Sequence, residues 1–190
     1  KFLDDLEPDD IILINDVDEI PNLKNLDFKK INKELIIFKQ KSYSYKFNLL
    51  YEKLCWYGSR ACKKRNFVSP QWLRNTKHRK YPFWRLDTIF SKKKYSSIHY
   101  VEDGGWHFCN LKTPKELLYK YNNLCETNDP YHFNEKIDQK YLDLNEIKNR
   151  IDLGQDIIGR NDTFQKIEID NTFPDYINEN KRMYKDWIKL

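Results

Sequence analysis

No apolar run in the 190-residue chain approaches the ~20 residues needed to cross a bilayer, which sets a membrane span aside, and no signal peptide is visible. Cysteine is sparse: Cys55, Cys62, Cys109 and Cys125 form no C-x-x-C pair and no zinc-ligand spacing, so a thiolate metal cluster is excluded. An even count of four leaves disulfides and compartment open. There is no internal repeat and no low-complexity tract. The charge excess is small, +5 from 34 basic and 29 acidic residues, which favours anionic ligands without requiring nucleic acid. The basic runs Lys63-Lys64-Arg65, His78-Arg79-Lys80 and Lys92-Lys93-Lys94 do not interleave aromatics at a base-stacking spacing. They read as solvated loops, one of which can face a diphosphate.

What is abundant is aromatic and charged. With 15% aromatic and 33% charged residues and a mean hydropathy of -0.88, the chain has the composition of a polar surface around an aromatic interior, not of a disordered tract. Its length suits one domain with a real core, so a single domain over residues 1–190 is expected. Most of the Tyr, Phe and Trp are expected to be core, since large aromatics supply much of the buried area of a small domain.

The most informative stretch is Ile11-Ile12-Leu13-Ile14-Asn15-Asp16-Val17-Asp18-Glu19-Ile20-Pro21. Four apolar residues predict a buried strand, and its carboxyl end, where open α/β sheets bind ligands, carries three acids. Carboxylates two apart at a strand end attract a hard cation such as Mg²⁺ or Mn²⁺, which keeps coordination positions for substrate phosphates. Asp18 is the first choice for direct ligation and Asp16 for a partner acting through the metal, its water or a ribose. The alternative is an acidic surface turn.

Downstream, Leu23, Leu26, Phe28 and Ile31 predict a short helix within 22–33, and residues 34–48 and 55–62 read as strands. Ser69-Pro70 opens a short helix. Residues 75–94 read as a basic loop, and 98–101 and 106–109 as strands flanking Glu102-Asp103-Gly104-Gly105. Thr113-Pro114-Lys115-Glu116 is a capping box, and Leu117, Leu118, Tyr121, Leu124 and Cys125 repeat on one helical face. A helix over 145–153 stops at Gly154, 164–169 alternates as a strand, and 174–189 closes as a helix with Ile177, Tyr184 and Ile188 inward.

Four segments in order resemble glycosyltransferase family 17, the family of the bisecting β-1,4-mannosyl-glycoprotein 4-β-N-acetylglucosaminyltransferase. They are Asp10 to Pro21, Trp56-Tyr57-Gly58-Ser59, Ser69-Pro70-Gln71-Trp72-Leu73-Arg74, and Gly104-Gly105-Trp106-His107-Phe108. The similarity spans about residues 8 to 128. It implies a GT-A, Rossmann-like α/β fold with a mixed sheet and UDP-N-acetylglucosamine as donor. A divalent Mn²⁺ or Mg²⁺ ion and a glycan or glycoprotein acceptor are implied with it. The part of such a domain that embraces the uridine is expected upstream of Lys1, and the eukaryotic relatives are type II Golgi proteins.

The resemblance also implies roles. GT-A enzymes commonly take a further metal ligand from a late histidine, which points to His107. Trp106 is a sugar-stacking candidate or core. Glu19 either contacts the acceptor or caps a helix after Pro21. An inverting transfer needs a base, for which Asp103 and Glu102 are the candidates, with turn residues as the alternative. Arg60, Arg74 and Arg85 are the candidate phosphate contacts. Two rival readings are a haloacid-dehalogenase-like phosphatase with Asp16 as nucleophile and a non-catalytic remnant or carbohydrate-binding module. Pro21 stands where the phosphatase would want a hydroxyl residue.

Overall fold

The computed structural model describes residues 2–79, 84, 91, 94–95, 97–123 and 137–190. The expected contributions of Lys80, Arg85, Lys92, Lys93, Leu124 and Cys125 lie outside them. Seven strands form a mixed sheet. They are β1 (Ile11–Ile14), β2 (Glu19–Pro21), β3 (Leu35–Ser44), β4 (Leu49–Lys63), β5 (Ile98–Val101), β6 (Gly105–Cys109) and β7 (Gln165–Lys166). The path runs β1-β4-β3-β6-β2, with β5 parallel to β3 and β7 antiparallel to β4. Four helices of α type accompany it among the described residues: α1 (Pro70–Arg74), α2 (Pro114–Asn123), α3 (Leu144–Leu153) and α4 (Asp175–Glu179). The chain is thus mixed α/β. It divides into two compact units, Lys1–Lys41 with Cys55–His107, and Ser42–Leu54 with Phe108–Leu190.

In the first unit, the apolar run of β1 forms the expected strand, but it is half-buried where the sequence predicts a buried one. β1 is an end strand of the path, paired antiparallel with β4 from Ile11↔Lys63 to Ile14↔Arg60. Four consecutive apolar residues are needed because both faces of this strand are covered. Ile12 and Ile14 pack on a cluster of Leu35, Ile37, Cys62, Leu73, Tyr95 and Ile98. Ile11 and Leu13 pack on Ile31, Ile36, Phe38 and Ala61 from the other side. Burial in the first cluster pushes the Cys62 thiol up to about 12, so this cysteine behaves as a small apolar side chain. Among the described residues Cys55 and Cys62 are free thiols.

The expected helix over 22–33 is absent, and a single 3-10 turn, Phe28–Lys30, stands in its place. Its short polar side chains outcompete the helix for backbone partners. Asn22 Oδ1 accepts from Lys24 N, Asp27 Oδ1 accepts from Lys29 N, and Asn25 holds φ 61. The expected helix α1 forms, and Ser69 Oγ accepts from Trp72 N at 3.1 Å as its N-cap.

The second unit has its own core of Tyr45, Leu49, Leu117, Tyr121, Ile147, Ile151 and Ile157, between α2 and α3. The capping box of α2 is present, with Thr113 N donating to Glu116 Oε2 at 2.8 Å and Glu116 N donating to Thr113 Oγ1 at 3.3 Å. The Thr113 amide and hydroxyl, both donating to Oε2, hold the Glu116 carboxyl below its usual range. Helix α3 starts on Asp143 and ends on Gly154 in the left-handed region at φ 67. Much of the aromatic content is spent here on ring packing: Phe108 lies 5.2 Å from Tyr43 and 5.1 Å from Phe47, and Phe173 lies 5.4 Å from Tyr43.

Two expectations for this unit are corrected. The strand over 164–169 shrinks to the two residues of β7. The closing helix breaks after Glu179 and resumes as a 3-10 turn at Lys185–Trp187. Its backbone is claimed by the segment after β3 instead. Phe47 N donates to Trp187 O, Asn48 Nδ2 donates to Lys189 O, and Lys189 N donates to Asn48 Oδ1.

Candidate functional site

The site lies in the first unit, on the link from β1 to β2. Those two strands stand at opposite ends of the path β1-β4-β3-β6-β2. In a flat sheet they would be ~19 Å apart at ~4.8 Å per strand. The five steps from Ile14 to Glu19 reach at most ~17 Å. The sheet therefore curls here, and Glu19 of β2 touches Trp56 and Ser59 of β4.

Asp16 to Glu19 make a tight turn. Glu19 N donates to Asp16 O at 3.1 Å, and the Glu19 carboxylate returns a bond by accepting from Asp16 N at 3.2 Å. Asn15 Nδ2 adds a bond to Asp16 O at 3.1 Å. Val17 at the apex is fully exposed, while Asp16 and Asp18 flank it.

Glu19 is the buried member of the acid trio. Its Oε1 accepts from the Trp56 indole Nε1 at 2.7 Å and its Oε2 accepts from the Ser59 hydroxyl at 3.2 Å. Ser59 Oγ in turn accepts from Gln40 Nε2 at 3.2 Å. A buried carboxylate with this many donors is an organiser of the turn, and Glu19, being in a strand, caps no helix. Gly58 is required by the same packing: a Cβ there would run into Gln40 Oε1, Trp56 Cδ1 and Glu19 Oε1.

Asp18 faces His107. The ladder between β2 and β6 pairs Glu19 with His107, Ile20 with Trp106 and Pro21 with Gly105. It brings His107 Nε2 to 3.5 Å from Asp18 Oδ2. The imidazole is buried, lies parallel to the Trp56 indole at 4.4 Å and 11°, and its Nδ1 has no hydrogen-bond partner among the described residues.

The glycine pair before Trp106 explains how the ladder forms. Gly104 N donates to Lys39 O at 2.7 Å, and a Cβ on Gly104 would come within 2.7 Å of Lys39 N. Gly105 has φ 126, and a Cβ on it would strike the backbone of Ile20, Pro21 and Asn22. Two neighbouring strands thus close on this dipeptide, one from each side.

Asp16 turns elsewhere. Arg74 at the end of α1 grips it with both arms, Nε to Oδ1 at 3.0 Å and Nη2 to Oδ2 at 3.1 Å. Of the arginines considered from sequence, Arg60 is committed to Gly58 O at 2.6 Å and Thr76 O at 3.2 Å, and burial lowers the pKa of its guanidinium. Arg85 lies outside the described residues.

The remaining candidates are Trp106, Glu102 and Asp103. Trp106 is buried and belongs to the core reading. Glu102 and Asp103 occupy an exposed turn, Glu102 bonded to Lys39 Nζ at 2.5 Å and Asp103 3.8 Å from Lys41 Nζ. Among the described residues no hydrogen bond or ion pair joins Glu102 or Asp103 to Asp18 or His107, and their charged partners are Lys39 and Lys41.

Asp18 and His107 are the donor atoms that suit a cation. Two ligand atoms each ~2.1 Å from one ion stand ~3.0 to 3.5 Å apart, depending on geometry. The 3.5 Å separation fits that range, and an imidazole with a carboxylate suits a divalent first-row metal ion. Among the described residues no three His, Cys, Asp or Glu side chains are gathered as a metal-holding group, because Asp16 is turned to Arg74.

Trp56, Gly58 and Ser59 are the members of the site that single-residue reasoning passes over. Their signal is the Trp-Tyr-Gly-Ser segment itself, which forms the socket for Glu19. No protein-family model matches the chain, and no match is found among curated proteins or solved structures.

Proposed function

We propose that the chain is a metal-dependent glycosyltransferase of GT-A type, similar to family 17, transferring N-acetylglucosamine from UDP-N-acetylglucosamine to a glycan acceptor with inversion. One observation carries this reading. The four segments on which the resemblance was drawn, separated along the chain, meet around a single acidic turn. The first supplies Asp16, Asp18 and Glu19, the second the Trp56 and Ser59 donors, the third Arg74, and the fourth His107.

In this reading Asp18 and His107 hold a divalent ion, which as a Lewis acid neutralises charge on the leaving diphosphate. Arg74, a planar two-armed donor suited to phosphate as well as carboxylate, stands beside them. Its guanidinium supplies the positive charge that Asp16 faces. Arg74→Ala is therefore expected to free Asp16 and strengthen Mn²⁺ binding about three- to fivefold, the size of an exposed ion pair. The same change should weaken UDP binding in the presence of Mn²⁺. Calorimetry measures both, and a weaker Mn²⁺ affinity would mean that Arg74 shapes Asp16 for the ion instead of competing with it.

Titrating the chain with UDP-N-acetylglucosamine, with and without Mn²⁺, tests the proposal. Metal-dependent heat is expected, and Asp18→Asn should reduce it by at least about tenfold because a direct ligand is lost. Absence of metal-dependent heat would favour the non-catalytic or carbohydrate-binding alternative.

A further inference from the structure

We infer that Trp56, oriented by the buried carboxylate of Glu19, is the positioning residue for His107. The inference deepens the proposed function, since it concerns how the imidazole is aimed at Asp18. A histidine that ligates a metal usually has its ring fixed by a hydrogen bond at the other nitrogen. His107 Nδ1 is buried and has no such partner among the described residues. Rotation about the terminal torsion of a histidine is broad and roughly two-fold, so without a partner the ring plane is poorly specified.

The indole supplies what the missing bond would. Its plane lies 11° from that of the imidazole with centroids 4.4 Å apart, close enough that the ring cannot tilt without collision. The stack fixes the plane, and Asp18 selects which edge of the ring faces the turn. Trp56 is itself held by three constraints. Its Nε1 donates to Glu19 at 2.7 Å, Glu19 is anchored by Ser59 and by the Asp16 amide, and Gly58 leaves no Cβ to displace the indole.

The geometry also explains why the acid and the imidazole occupy paired positions. Glu19 and His107 are opposite one another in the β2–β6 ladder, so their side chains are cross-strand neighbours. Trp56 joins both, one by a hydrogen bond and the other by its face. A change at Glu19 is thereby transmitted to the metal-facing nitrogen without direct contact between the two.

The test uses the full chain with ¹⁵N-labelled histidine. In the metal-free protein the His107 ring protons are expected to be shifted upfield by the indole ring current. Trp56→Leu should abolish that shift and lower Mn²⁺ affinity at least about tenfold, the usual cost of losing a ligand's support. Trp56→Phe keeps a stacking face and should retain part of the shift and stay within about threefold in affinity. Glu19→Gln keeps an acceptor for the indole and should behave like Trp56→Phe. Thermal melts of each variant separate these effects from unfolding. Unchanged His107 shifts in Trp56→Leu would overturn the inference, and so would a folded Trp56→Phe as impaired as Trp56→Leu. If the unsubstituted chain shows the ring-current shift but binds no Mn²⁺, the metal reading alone fails and the positioning stands on the spectra.

Discussion

Gly105→Ala is expected to destabilise the chain by about 3–5 kcal/mol, placing it among the rare single changes with a named structural mechanism of that size. Two costs combine. The backbone of Gly105 holds φ 126, a region that residues with a Cβ avoid, and such strain costs on the order of 1–3 kcal/mol. The added methyl would also meet backbone atoms of Ile20, Pro21 and Asn22, with Asn22 N at 2.8 Å and Pro21 Cα at 3.0 Å. Backbone cannot rotate out of the way as a side-chain end can, so β2 and β6 must part. A fall in melting temperature on the order of 10 °C follows for a chain of this size. Because that ladder carries His107 to Asp18, the proposed Mn²⁺ binding should fall in the residual folded protein as well. A melting temperature within about 2 °C of the unsubstituted chain, where a loss of 3 kcal/mol would move it several degrees, would refute the close approach at Gly105.

Glu19→Ala is expected to cost about 2–4 kcal/mol, and here opposing terms must be weighed. Removing the carboxylate strands the buried Ser59 hydroxyl, at roughly 1–3 kcal/mol for a buried donor left unpaired, and the half-buried indole N–H of Trp56 and Asp16 amide, at less each because water reaches them. Ser59 recovers part of this by rotating its hydroxyl, and removing a buried acid recovers desolvation free energy. The indole and the amide have no such freedom, which keeps the net effect unfavourable. Glu19→Gln retains an acceptor for Trp56 and should lose only about 1–2 kcal/mol. Denaturant titration of the two variants reads this ordering, and equal stability of Glu19→Ala and the unsubstituted chain would show that the cluster contributes nothing to the fold.

These two predictions mark where sequence reading stopped. The acidic turn was legible because three acids behind four apolar residues form a local pattern, and the caps at Ser69, Thr113 and Gly154 were legible for the same reason. Their physics is contained within a few consecutive residues. The role of Glu19 was not legible, because what defines it comes from Trp56 and Ser59, on a strand that only the curl of the sheet brings within reach. The apolar run of β1 was readable as a strand. That it is an end strand covered on both faces, not a central one, depends on which clusters the chain later lays against it. Residues 22–33 misled because Leu23, Leu26, Phe28 and Ile31 keep helical spacing while Asn22, Asn25 and Asp27 divert the backbone. At the carboxyl end, Asn48 overrides an otherwise helical pattern through bonds to a segment far along the chain.

The pairing of β2 with β6 has a kinetic corollary. Asp18 and His107 lie nearly ninety residues apart, and the fork that holds Asp16 comes from yet another stretch, at Arg74. During synthesis the carboxylates emerge first, the guanidinium later and the imidazole last. The Asp18–His107 pair proposed to hold a divalent ion is therefore not assembled while the early chain is collapsing, in contrast to small metal-nucleated domains whose folding is driven by the ion. Loop closure over such separations has to come from strand pairing and apolar burial. Under the proposed function, cation binding would be a late event laid on an already assembled scaffold, and a chelator should leave the fold of this region standing.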